Sequence, residues 1–142
     1  VVTPLEEICN ELEEEVEACV IAIAKFDYHS KQIQWKYVSH PLNDKYKRMV
    51  ISYGSGVAGT VMQTGRTFLC RSRKDLPLVL SKYPIVLAEK LQSFAAIPLQ
   101  TGHLFDAVLL IGYRNEHDLP SEQQWHPYAA RISNYLKQGG LS

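Results

Sequence analysis

Gly54-Ser55-Gly56-Val57-Ala58-Gly59-Thr60-Val61-Met62-Gln63-Thr64-Gly65-Arg66-Thr67-Phe68 is the stretch that decides how this chain folds. Three glycines fall within six residues and give way to a short apolar helix pattern, with Val57, Val61 and Thr64 on one face. Ser55 stands where an N-cap accepts from the first free helix amides. Gly65 stands where a helix closes in a left-handed conformation that a Cβ would disfavour. A helix begun on bare backbone presents unpaired N–H groups and the positive end of its dipole, which together suit a small anion. The glycines alone are equally explained by tight packing of helix on sheet.

The flanks supply the context. Thr3-Pro4-Leu5-Glu6 reads as a helix start with a capping box, and Leu5, Ile8, Leu12 and Val16 extend an amphipathic helix over about 4–17. Glu11, Glu13, Glu14, Glu15 and Glu17 are then its solvated face. Ala18 to Phe26 is a doubly buried strand, and after a turn at Asp27-Tyr28-His29-Ser30 residues 31–38 alternate. That alternation places Ile33, Trp35 and Tyr37 on one inward face, and a buried Trp35 indole N–H needs an acceptor. Beyond the glycines come a strand at 67–71, a polar loop, and a second short helix opened by Tyr83-Pro84 and running to about Leu91. Strands follow at 93–99 and 105–114, joined at Thr101-Gly102-His103, with Ala107 to Ile111 apolar enough to be central. Ser121-Glu122-Gln123-Gln124 is a capping box for a last helix carrying Trp125, Tyr128, Ala129, Ile132 and Leu136 on one face. Pro127 should kink that helix or displace its start, and Gly139-Gly140 ends it.

The tight strand pairs predict an antiparallel sheet in an α+β sandwich. The two short helices lie over one face and the terminal helices over the other, in one domain spanning 1–142. The apolar stripes of the terminal helices pack within the chain or, alternatively, across a homodimer.

Composition narrows the function. At 142 residues, with 46% apolar and 21% charged residues, the chain reads as an ordinary globular domain able to bury a core. Its formal charge of zero gives no electrostatic case for nucleic acid or an anionic membrane. No apolar run approaches the roughly 18 residues of a membrane span, and no basic-plus-apolar leader is evident. The chain begins at Val1 rather than Met, which suggests trimmed or partly disordered ends. Cys9, Cys19 and Cys70 are scattered, and His29, His40, His103, His117 and His126 show no ligand spacing. The expectation is a cytoplasmic protein without metal, cofactor or disulfide.

The order of elements and the segment Gly54 to Phe68 resemble the GAF domain, a small-molecule sensing module. The family pattern of Gly-x-Gly, an aliphatic residue, Ala-Gly and then Thr-Gly before a basic residue is met almost fully. Ser93 to Leu99 and Ala107 to Gly112 look like the paired strands that follow it. Within that family, three segments are similar to the cytoplasmic nitrate receptors of staphylococci and related Firmicutes. They are Gln34-Trp35-Lys36-Tyr37-Val38-Ser39, then Asn43 to Gly59, then Tyr83 to Val86 with Ala88-Glu89 and Leu91 to Ala96. The resemblance implies nitrate held by backbone amides at Val57 and Ala58 and near Ile85, in a pocket walled by Trp35 and Tyr83. Val57 stands where those receptors are expected to have Leu. It also implies a sensor histidine kinase as partner in a nitrate and oxygen response system.

The residues agree on their own terms. Gly56-Val57-Ala58 and Tyr83-Pro84-Ile85 are two helix starts which, brought together beside Trp35, could hold a planar monovalent anion without Lys or Arg. Lack of a cation favours a weakly hydrated ion over phosphate, and no Arg clamp or long glycine loop offers to hold a nucleotide. The moving parts are expected to be the two short helices and the loop from Arg71 to Ser81. The alternatives are a GAF module for cyclic nucleotide or haem, a silent dimerisation unit, and a free methionine sulfoxide reductase. That last chemistry needs a thiolate at the cavity and a second thiol within reach.

Overall fold

Thr3 accepts from the Glu6 amide at 3.2 Å and starts helix α1, Pro4–Val16, whose Leu5, Ile8, Cys9, Leu12 and Val16 are buried. The computed structural model describes residues 2–102 and 104–141, so His103 of the expected turn lies outside the described residues. Strands β1 (Val20–Asp27), β2 (Gln32–Val38), β3 (Phe68–Cys70), β4 (Ser93–Gln100) and β5 (Phe105–Tyr113) form one sheet in the order β2-β1-β5-β4-β3. All four pairings are antiparallel. β5 is the middle strand, and Ala107 to Ile111 are wholly buried, as their apolar run requires.

Helices α2 (Gly56–Thr64) and α3 (Pro84–Ala88) cover one face, while α1 and α4 (Glu122–Lys137) cover the other. This is the α+β arrangement expected from the sequence. The stripes of α1 and α4 are spent within the chain: Leu5, Ile8, Leu12, Ile132 and Leu136 join Ile21, Ile23, Leu109 and Ile111 in one apolar cluster. The Ser121 capping box forms as expected, and α4 runs from Glu122 through Pro127, its start undisplaced.

Three local expectations are corrected. First, β2 is not a simple alternation. Ile23 pairs with Tyr37 but Ala24 pairs with Trp35, so Lys36 is the extra residue of a bulge. Ile33 and Trp35 face α2, whereas Tyr37 is turned to the terminal-helix face and Val38 takes its place. Second, α3 stops at Ala88 rather than near Leu91; Lys90 has φ +54° and the Leu91 amide reaches back to the Val86 carbonyl at 2.9 Å. Third, Thr64 is exposed and bonds the Thr60 carbonyl, so the buried face of α2 is Val57, Ala58, Gly59, Val61 and Met62.

Candidate functional site

Helix α2 opens as the glycines predict. Gly65 closes it with φ +66°, its amide on the Val61 carbonyl at 2.8 Å. Gly59 is needed for contact: a Cβ there would run into the Ser52 carbonyl oxygen. The helix therefore lies directly on the 52–54 turn. Ser55 occupies the N-cap position, but its side chain makes no cap bond, and no acidic residue stands in the first turn. The amides of the first turn, which have no partner within a helix, keep their donor capacity and the dipole's positive end stays uncompensated.

In front of this end lies a cavity of about 260 Å³. Gly56 and Val57 line it from α2, Pro84 and Ile85 from α3, and Trp35 from β2. Ala58, in the same turn as Val57, is fully buried and, unlike Val57, does not itself line the cavity. Trp35 is 3% exposed, and its indole Nε1 has no hydrogen-bond partner. Indole can only donate, and leaving such a buried donor unpaired costs about 1–3 kcal/mol. The unpaired donor thus asks for an acceptor, and Ser52, Ser55 and Ser81 add polar groups to the apolar part of the wall.

Tyr83 departs from expectation. It is buried, but its ring stands 6.2 Å from Phe68 in an edge-on pair and lines a neighbouring cavity with Thr60 and Leu78 rather than the one beside Trp35. A wall that sequence reasoning missed comes from Met49 to Ser52, where Ile51 and Ile33 exchange backbone bonds at 2.9 Å. A single bridge has no periodicity to announce it. Lys82 also lines this space, which amends the expectation of a site remote from any cation; its carbonyl lies 3.8 Å from where a Gly56 Cβ would stand.

The thiols are placed apart. Cys9 is on the terminal-helix side and Cys70 on the α2 side of the sheet. Burial, helped by Glu13, pushes the Cys9 thiol up to about 12, and burial also raises Cys70. Among the described residues no group of His, Cys, Asp and Glu could hold a metal ion, and no helix is long and apolar enough to cross a membrane.

A five-stranded antiparallel sheet with a ligand-sized cavity under two short helices defines a GAF-type ligand-binding sensor module. Neither a scan against protein-family models nor a search of the curated proteins finds a match. Solved structures do match. NreA of Staphylococcus aureus, mutated in its nitrate binding site, is 32% identical over 82% of this chain and 87% of that one, with a TM-score of 0.73. A hypothetical protein of S. aureus is 31% identical over 84% of this chain and 99% of that one, with a TM-score of 0.75. The GAF domain of an Acinetobacter phosphoenolpyruvate-protein phosphotransferase shares the fold at 15% identity, over 96% of this chain and 84% of that one, with a TM-score of 0.71. The chain belongs to the NreA-like GAF proteins.

Proposed function

We propose that this protein is a cytoplasmic receptor for nitrate, or a similar small monovalent anion, that acts by contact and not by catalysis. The observation that carries the reading is the buried, unpartnered Nε1 of Trp35, a residue lining a cavity that also receives the uncapped start of α2. The indole and the first-turn amides of Val57 and Ala58 donate to the anion's oxygens, and Pro84 and Ile85 close the far side. Such charge-assisted bonds are stronger than neutral ones. They suffice for a Kd in the tens of micromolar, about −6 kcal/mol. The likeness to NreA supports nitrate as the ion.

No cofactor is assigned to the site. The raised thiols favour this non-catalytic reading, since neither Cys9 nor Cys70 offers a thiolate near neutral pH and the sheet separates them. The output falls on a sensor histidine kinase of the NreB type, restrained by the empty receptor and released when nitrate binds. By linkage, the kinase then lowers nitrate affinity by the factor that nitrate lowers kinase affinity, typically about 5–150-fold.

Calorimetric titration tests the first claim. Nitrate gives heat and raises the melting temperature, whereas chloride, sulfate and cyclic nucleotides do not. No heat and no thermal shift at millimolar nitrate removes the reading. Autophosphorylation of the genomically neighbouring kinase, mixed with the protein with and without nitrate, tests the second; equal rates remove the kinase and leave the receptor.

A further inference from the structure

A second buried polar cluster joins α3 to the loop that leads into the cavity wall. Glu89, the residue that closes α3, is 1% exposed. Its Oε1 accepts from the Leu42 amide at 3.0 Å and from Arg114 Nη2 at 2.8 Å, while Oε2 is buried without a partner. Arg114 also donates through Nε to the Glu89 carbonyl and through Nη2 to the His40 carbonyl, both at 2.9 Å. Asn43 Nδ2 donates to the Ala88 carbonyl at 3.0 Å. One end of a five-residue helix is thus bolted to residues 40–43, and its other end supplies Pro84 and Ile85 to the cavity. The same loop runs on through a 3-10 turn at Lys45–Arg48 into Met49 to Ser52, which line the cavity as well.

An ion pair between a buried carboxylate that keeps an unsatisfied oxygen and a half-buried guanidinium is a poor device for stability, because well-packed apolar side chains usually do as well or better. It is a good device for holding one element to another. α3 cannot shift toward a ligand without carrying residues 40–43, and an unpaired Oε2 leaves room for a second set of partners. The solvent side of this loop has its own character. Lys45, Lys47 and Arg48 are all exposed, and Asp44 is the one acid between residues 40 and 50, lying 3.8 Å from Lys47. Leu42 and Val50 flank them at 48% and 56% exposure.

We infer that the loop from His40 to Val50 is the surface through which occupancy of the anion cavity is read, by a partner presenting acidic side chains around an apolar anchor. Glu89 and Arg114 are the positioning residues that couple it to α3. This inference rests on the receptor reading above. The basic turn supplies the charge complementarity and Leu42 and Val50 the apolar contact. The pairing selects against basic partners as well as for acidic ones.

Amide hydrogen exchange of the full chain, with and without sodium nitrate, reads the coupling directly. In the wild type, nitrate slows exchange over residues 40–50 by about tenfold, within the usual range of allosteric coupling. Glu89→Gln, and Asn43→Ala as a gentler cut, still bind nitrate by calorimetry but lose that slowing. A poly-glutamate peptide carrying one leucine serves as the acidic probe: it binds the wild type with nitrate-dependent affinity. The Lys45→Glu, Lys47→Glu, Arg48→Glu triple variant abolishes peptide binding and leaves nitrate binding in place. Nitrate heat with no change over residues 40–50, or equal peptide binding by wild type and triple variant, overturns the inference and spares the receptor reading. Absence of nitrate heat removes the receptor reading, and the coupling is then read without ligand. Ile85→Ala in the first turn of α3 should speed exchange at the Leu42 amide in the wild-type background and not in Glu89→Gln; an unaltered Leu42 amide overturns the inference.

Discussion

At the scale of single residues, Trp35 carries two opposed free energies in one side chain. Its ring is buried and stabilising, while its unpaired N–H is a cost until an acceptor arrives. Trp35→Phe separates them by keeping an aromatic wall and deleting the donor. Removal of the unmet donor offsets part of the lost volume, so the ligand-free variant should lose less than the roughly 3–5 kcal/mol of a Trp truncated to Ala. Nitrate affinity should fall about 10–100-fold, the equivalent of one hydrogen bond to a charged group at about 1.5–3 kcal/mol. Thermal melts and calorimetry on the same variant check both halves. An unchanged affinity in a folded variant would place the indole outside the site.

At the scale of elements, the starts of α2 and α4 make a controlled comparison. Ser121 accepts from the Gln124 amide at 3.3 Å, whereas Ser55 leaves its helix uncapped. Ser121→Ala should therefore cost about 1 kcal/mol in urea denaturation, and Ser55→Ala well under 0.5 kcal/mol. Ser55→Asp goes further, because a carboxylate at the bare end mimics the ligand. We expect it to raise stability by about 0.5–1 kcal/mol and to compete nitrate out of the cavity. A variant that is more stable yet binds nitrate normally would show that the anion lies elsewhere. These elements differ in how far the sequence announced them. The helices, the central place of Ala107 to Ile111 and the αL end at Gly65 follow from periodicity and turn chemistry. The bulge at Lys36 does not: an inserted residue leaves the apolar pattern intact and only changes which face Tyr37 occupies. Of the site, the Trp35 and α2 walls were legible, because inward phase and glycine clusters are local signals. The Ile51 wall, the orientation of Tyr83 and the Glu89–Arg114 pair depend on contacts between distant segments, and no local spacing encodes them.

For the molecule as a whole, stability should respond to ligand and to pH in ways the structure dictates. Nitrate at 100 times its Kd should add about 2.7 kcal/mol to unfolding, seen as a concentration-dependent melting temperature. Alkaline behaviour follows from buried acids that stay protonated in the fold. Burial, with Glu13 second, raises Cys9 from an ordinary 9.0 to about 12, and burial raises Tyr113 from 10.0 to about 12. The unfolded chain releases these protons first, so their contribution is fully present below about pH 9 and is lost as pH rises toward 12. The melting temperature should fall steadily across that window, and Cys9→Ala should flatten part of the slope. A melting temperature independent of pH from 9 to 12 would contradict the protonated, buried state of these groups.

The burial of Trp35 also makes the molecule its own optical probe. Indole emission shifts to shorter wavelength where no solvent dipoles can relax around the excited ring, and the chain has only two tryptophans. Trp125 sits half-buried on α4, across the sheet from the cavity, so its light is insensitive to what enters there. With Trp125→Phe as a silent background, one chromophore remains, in the wall of the space a ligand would fill. Arrival of an anion beside that ring should change the colour and yield of the emission as the cavity fills. Filling of the cavity then becomes a stopped-flow trace, recorded without label or partner.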